Sequence, residues 1–243
     1  MKITILFDEN AISQDLQTGF GLSLLVNDSV LFDTGADGDI LCHNIKALNI
    51  NTSKITTVVV SHEHWDHTGG LLKVLSLVNN PNIFVCRNFS RELKKELQLS
   101  GGKIHMADGF TKIAKNIYTT GEIYSTYKNL PLYEQSLVVT TPQNHAAVIC
   151  GCCHYDLLKS IEMNKKNIAS YFDRPPVLDC VIGGFHLKNE TDLSLQRINK
   201  KVFESGIERM VPLHCSSDRA KKYFRENFEG TCYTGHVGSV FEL

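Results

Sequence analysis

Residues 61–70 read S-H-E-H-W-D-H-T-G-G, which crowds three imidazoles (His62, His64 and His67) and two carboxylates (Glu63 and Asp66) into six consecutive positions. Such side chains are poor core material, because burying a charge or an unpartnered ring nitrogen costs free energy unless something compensates it. A metal ion is the first candidate. Just before the cluster, residues 57–60 form an apolar, β-branched run of strand length; just after it, Gly69-Gly70 leads into the apolar stretch L-L-K-V-L-S-L-V. The cluster is therefore expected on the loop at the C-terminal end of a strand, where open α/β sheets place their sites. Alternate residues of an extended turn can present His62 and His64 to one ion while Asp66 and His67 turn toward a second, with Glu63 pointing away. A lone surface histidine has a bland explanation. Four ligand-type residues at this spacing argue against one. Imidazole nitrogen and carboxylate oxygen suit zinc, iron(II) and manganese alike, so the site is better determined than the element.

Working outward, strands are expected over 2–7, 22–26, 29–32, 56–60, 83–86, 136–140, 146–150, 177–182 and 209–211, with a hairpin around Asn27-Asp28. Helices are expected over 38–48, 70–78, 90–97, 155–164, 192–204 and 216–227, several opening on a Ser or Asp cap. Early strands read as a meander and later ones alternate with helices, which describes a layered α/β protein. The 243 residues show no repeats, low-complexity tracts or linker, so the expectation is one domain over 1–243. Residues of about 100–135 differ in being rich in Gly, Thr and Tyr. They read either as a substrate-covering loop or as one or two packed hairpins edged by Tyr118, Tyr124, Tyr127 and Tyr133.

Twenty-five Lys and Arg against 26 Asp and Glu leave a formal charge of −1, which gives no general attraction to nucleic acid or to an acidic membrane. An anionic substrate would have to be caught locally. The first apolar run, I-T-I-L-F, breaks at Asp8-Glu9, far short of a signal or membrane segment, so a cytoplasmic protein is expected. Eight cysteines without a secretion signal read as thiols. C-G-C-C-H at 150–154 has the look of a soft metal site, although buried thiols are ordinary packing residues too.

The motifs also carry a resemblance. H-x-H-x-D-H after a strand, with L-F-D-T-G at 31–35 upstream, resembles the metallo-β-lactamase fold superfamily of metal-dependent hydrolases. D-x-N at 8–10, G-L-S at 21–23, T-G-E-I at 120–123, E-Q-S-L at 134–137, G-C-C-H at 151–154, G-G-F-H-L at 183–187 and P-L-H-C at 212–215 fall in the order of one branch. Its members carry the name 7,8-dihydropterin-6-yl-methyl-4-(β-D-ribofuranosyl)aminobenzene 5′-phosphate synthase. The resemblance spans nearly the whole chain and implies a four-layer αββα sandwich with metals at the edge where two sheets meet. By resemblance, one metal takes His62, His64 and His154, and the second takes Asp66, His67 and His214. Many superfamily members place a metal-bridging Asp where this chain reads Gly151-Cys152-Cys153-His154, with no carboxylate. Either Cys152 lies near the metals or the site manages with six ligands. A further alternative puts His154 in that Asp's place, with Glu134 and Asp156 as fallback ligands.

Two divalent ions sharing a water would lower its pKa toward roughly 7 and supply hydroxide at neutral pH. Asp66 would orient and deprotonate that water, and His186 would steady the oxyanion or protonate the leaving group. Asp33 is expected to orient a ligand histidine from outside the site. His43, His105, His145 and His236 read as surface or packing residues. The expected activity is a dinuclear hydrolase, zinc-dependent first and iron- or manganese-dependent next, acting on a phosphodiester or other phosphate-bearing small molecule. A pterin-related synthase, a non-catalytic pterin-binding module and a lactone or thioester hydrolase are the alternatives. A di-iron oxidoreductase fits less well, since proteins of that kind carry Glu where this chain has His64. A small-molecule substrate is the expected partner, with self-association left open.

Overall fold

The computed structural model describes residues 1–242. In chain order the elements are β1 (Lys2–Phe7), β2 (Ser23–Val26), β3 (Val30–Phe32), α1 (Gly38–Ala47), β4 (Thr57–Val59), α2 (Trp65–Thr68), α3 (Leu71–Leu75), β5 (Asn82–Val85), α4 (Arg91–Leu99), β6 (Lys103–Met106), β7 (Thr111–Ala114), β8 (Ile117–Thr119), β9 (Ile123–Tyr127), β10 (Leu130–Glu134), β11 (Leu137–Thr140), β12 (His145–Cys150), α5 (Leu157–Tyr171), β13 (Val177–Gly184), α6 (Asp192–Glu204), β14 (Arg209–Leu213), α7 (Asp218–Asn227), β15 (Thr231–Cys232) and β16 (Val240–Glu242). One sheet runs β16-β1-β2-β3-β4-β5-β6 and the other β15-β14-β13-β12-β11-β8-β7, while β9 and β10 form a separate hairpin. Within the first sheet the meander β1-β2-β3 is antiparallel and β3 to β6 are parallel. The second repeats the plan, antiparallel through β8-β11-β12 and parallel through β12-β13-β14-β15.

Alternation of side chains along the strands gives each sheet two apolar faces, and each face finds a partner. The inner faces meet in a fully buried layer that includes Ile5, Leu24, Phe32 and Val59 from the first sheet and Leu137, Val139, Ile149 and Ile182 from the second. The outer face of the first sheet packs on α1, α3 and α4 through Leu31, Leu41, Val58, Val74 and Leu97. That of the second packs on α5, α6 and α7 through Val148, Ile161, Val181, Val202 and Phe224. The layering is α, β, β, α, as expected. No helix among the described residues is long and apolar enough to cross a membrane.

Local chemistry accounts for the boundaries. Asn27 and Asp28 both take positive φ, the left-handed conformation a tight hairpin needs. Asp37, Thr191 and Ser217 cap α1, α6 and α7 with side-chain oxygens. Asp156, a fallback ligand on sequence grounds, instead caps α5 by accepting from the amides of Leu158 and Lys159.

One expectation needs correction. The segment 61–68 is not one extended turn: Trp65–Thr68 closes a single helical turn, with Gly69 donating to the Trp65 carbonyl, before the chain restarts as α3. Of the two readings of residues 100–135, the hairpins hold and the loop does not: the segment crosses between the sheets through β6 at one edge, the β7-β8 hairpin at the other, and the β9-β10 hairpin. Its strands are short and mostly half-exposed, so the alternation that marks a buried strand is weak there. The edge strands β15 and β16 escaped the sequence reading for the same reason.

Phe32 lies wholly buried between the sheets. Phe32→Ala is expected to destabilise the fold by about 3–5 kcal/mol, read as a lower midpoint in guanidinium unfolding at unchanged slope.

Candidate metal centre

Six chain segments leave the C-terminal ends of their strands along the same edge. Asp8 and Glu9 follow β1, Asp33 follows β3, and the histidine cluster follows β4; Cys152–His154 follow β12, His186 follows β13, and His214-Cys215 follow β14. The site therefore draws on both sheets. Strained backbone gathers here too: Asp33, Cys153, His186 and His214 all have positive φ, an unusual conformation for residues with a Cβ.

The six residues expected as ligands form two neighbouring sets. Donor atoms of His62, His64 and His154 lie within 4.8 Å of one another, as do those of Asp66, His67 and His214. His62 Nε2 and His64 Nδ1 stand 3.0 Å apart, close to the roughly 3.3 Å that separates two nitrogens of a tetrahedral zinc ion. His214 Nε2 is 3.1 Å from Asp66 Oδ2, which is 3.7 Å from His67 Nε2.

The outward side of each ring is held by the chain. Ser61 Oγ donates to Asp33 Oδ2 at 2.6 Å and sits 2.8 Å from His62 Nδ1, so His62 donates outward and turns the lone pair of Nε2 inward. His67 Nδ1 lies 2.7 Å from the same Asp33 oxygen, and His214 Nδ1 lies 3.0 Å from Glu9 Oε1. The inward nitrogens of His154 and His214 are buried without a hydrogen-bond partner, and so is His186 Nδ1. Carboxylate and hydroxyl behind, bare nitrogen in front is how proteins orient metal-ligating histidines. The donor set fits a divalent cation.

Electrostatics separate the two sets. Burial, reinforced by neighbouring imidazoles, drives His62 well below the usual histidine range, and burial with His186 takes His154 down to about 3. These rings stay neutral and keep the lone pairs a metal needs. For Asp66 burial works upward, but His214 outweighs it and brings the carboxyl to about 2. Burial likewise opposes a charged His214, yet Asp66 and Glu9 raise it to about 10.

The loop carrying His154 is fixed by Glu134, which is fully buried. Its two oxygens accept from the amides of Cys152, Cys153 and His154 at 3.2, 2.6 and 2.8 Å. Glu134 is thus a strut for the backbone, with both oxygens already used, and not a fallback ligand. Glu63 points away as expected and accepts from the Ser90 amide at the start of α4. His43, His105 and His145 bond elsewhere, to the Asp15 carbonyl, Asn82 and Asp179.

Several neighbours of the site carried no clear signal in sequence. Cys215, one residue beyond His214, groups with Cys152 and His214, and its sulfur accepts from the His186 amide at 3.3 Å. Ser61 and Glu9 act only through contacts that folding creates. Tyr127, at the end of β9, places its ring 4.9, 5.1 and 5.6 Å from those of His64, His154 and His186. On the opposite side Phe20 lies 4.7 Å from His214 and 6.0 Å from the exposed Trp65.

Residues 17–99, which contain Asp33 and the whole histidine cluster, match the family model of the metallo-β-lactamase superfamily. Over that stretch the chain is similar to the metallo-β-lactamase superfamily. That superfamily binds metal ions and consists mostly of hydrolases. The crystal structure of Tm1679, a metal-dependent hydrolase of the β-lactamase superfamily, superposes with a TM-score of 0.77 at 29% identity, covering 100% of this chain and 99% of the other. YhfI from Bacillus subtilis, at 16% identity and a TM-score of 0.64 over 99% and 98% of the two chains, shares the fold. In sequence the chain is 26% identical to 7,8-dihydropterin-6-methyl-4-(β-D-ribofuranosyl)-aminobenzene-5′-phosphate synthase of Methanocaldococcus jannaschii, over 88% of this chain and 84% of that protein.

Asp33→Asn would set an amide NH2 against a group that already donates. Metal affinity is expected to fall 10- to 100-fold, measured by competition with a chromophoric chelator.

Proposed function

We propose that this protein is a dinuclear metal-dependent hydrolase acting on a phosphodiester or another phosphate-bearing small molecule. The observation that carries this reading is the pair of adjacent donor sets, His62/His64/His154 and Asp66/His67/His214, with the inward nitrogens of His154 and His214 buried without a hydrogen-bond partner. Two divalent ions, zinc first and iron or manganese next, would lower the pKa of a shared water toward roughly 7 and polarise a phosphoryl oxygen.

The chain's own groups supply the rest. Asp66 stays ionised and faces both His67 and His214, where it would orient the attacking water and take up its proton. His186 sits beside His154 with ring centroids 4.4 Å apart. Its interaction with Cys215 raises it above the ordinary histidine value against the pull of burial, the direction that suits a group donating a proton to the leaving group. A cavity of about 430 Å³ opens beside His154, walled by Tyr124, Ser125, Thr126 and Lys159. Lys159 gives an otherwise near-neutral protein a local cation for a phosphate. Together with Lys128, whose ammonium lies 5.1 Å from the centre of the Tyr127 ring, it answers the need for local capture of an anion.

A second reading, a pterin-related synthase or a pterin-binding module, draws on the name of the Methanocaldococcus relative and on the aromatic surfaces of Tyr127, Phe20 and Trp65 around the site. Flat rings stack on such surfaces. The hydrolase is favoured because its chemistry follows from the donor sets themselves. A lactone or thioester would meet the same polarising centre but would leave Lys159 without a role.

Elemental mass spectrometry is expected to find about two metal ions per chain in the wild type and about one in His214→Ala, with bis(p-nitrophenyl) phosphate hydrolysis lost in the variant. A wild-type protein purified without chelators and free of metal would refute the proposal. For Lys159→Ala, KM toward phosphate-bearing substrates is expected to rise roughly tenfold with kcat changed much less, the pattern of a lost binding contact.

A further inference from the structure

Each donor set supplies three protein ligands, which leaves room for one more donor beside the shared water, since catalytic zinc expands to five-coordinate. The sets can share a donor only if one atom reaches both. Among the described residues, Cys152 is the one whose sulfur groups with His62 and His67, a member of each set; it also groups with His214 and Cys215, and with His154 and His186. Its Sγ stands 3.2 Å from His67 Nε2, and the side chain is almost fully buried.

The backbone leaves that sulfur little freedom. Glu134 accepts from the Cys152 and Cys153 amides, and Cys153 is held at φ +58°. On the other side, Gly151 presses so closely on the first sheet that a Cβ there would lie 2.1 Å from Ser61 Oγ and 3.1 Å from Asp33 Oδ2. The loop is thus clamped between the strut and the group that orients His62 and His67. Ordinary packing of a small apolar residue does not call for a sulfur within hydrogen-bonding distance of a ring nitrogen that faces the donor cluster.

We propose that Cys152 is a ligand shared by both metal ions, so that a thiolate bridges the centre. This rests on the dinuclear reading above. On binding, the S–H bond breaks, two sulfur–metal bonds form and the proton leaves to solvent. A soft, anionic bridge biases the site toward zinc, iron(II) and cobalt(II) and away from magnesium and calcium. Cys215 lies next to the same cluster but bonds the His186 amide, and is a positioning residue for His186.

Cobalt(II) tests this without reference to turnover, because a thiolate ligand produces a sulfur-to-cobalt charge-transfer band that imidazole and carboxylate ligands do not. Metal-free full-length protein titrated with cobalt(II) is expected to show the band growing through both equivalents. Cys215→Ser should keep it. Cys152→Ser should lose it, and Cys152→Asp should bind two cobalt ions, seen by their visible d–d absorption, without it. Growth that stops at one equivalent would overturn the bridge, as would a band that survives Cys152→Ser and vanishes in Cys215→Ser. Two cobalt ions bound by the wild type with no charge-transfer band would overturn the thiolate ligand while leaving the dinuclear reading intact. A wild type that binds no cobalt would refute both.

Discussion

The buried carboxylate of Asp33 is the interaction on which the site depends. It accepts from the Ser61 amide and the Ser61 hydroxyl, each at 2.6 Å, and contacts His67 Nδ1 at 2.7 Å. Three partners compensate a carboxylate that the sheets seal from water, which an isolated acid could not tolerate. Through Ser61 the same carboxylate reaches His62, so one residue at the end of β3 sets the rings of two histidines after β4. It sits at positive φ, a strained conformation held in place by the hydrogen bonds around it.

From this point the two sheets are tied together by polar contacts where their apolar interface ends. Gln135, fully buried, donates from its side chain to the Val60 and Phe84 carbonyls and from its backbone to the Ser61 carbonyl, joining the second sheet to the strand ends of the first. Glu134, its neighbour, faces the other way and holds the loop that carries Cys152 and His154. Burial pushes the Glu134 carboxyl up to about 7, against the three amides that draw it down. Asp8 plays a parallel part at the end of β1, accepting from the His214 amide. His62 and His67, the Cys152–His154 loop, and His214 thus rest on buried acids, Asp33, Glu134 and Asp8, at the ends of three different strands.

The arrangement also explains the shape of the pocket. Both sheets present their C-terminal edges to the same groove, and the β9-β10 hairpin brings Tyr127 over three of the histidines. The donor sets grow from strand ends, whereas the surrounding walls come from connections, which as a class tolerate more sequence change than strands.

By itself, the sequence determined the apolar strands, the capped helices, a layered α/β class and the density of ligands in S-H-E-H-W-D-H, because these rest on local patterns of burial and valence. The αββα order and the candidates His154 and His214 came with the resemblance its motifs carry, and His186 with its place after a strand. Tertiary structure alone decided that Glu134 braces a backbone loop, that Glu9 and Ser61 orient rings, that Tyr127 covers the site, and that Cys152 stands between the donor sets. These roles depend on pairs of residues up to 205 positions apart, such as Glu9 with His214, and local spacing carries no record of such a distance. The bounds of the short strands between 103 and 134 were not legible for a related reason: their pairing partners, and not their own alternation, make them strands.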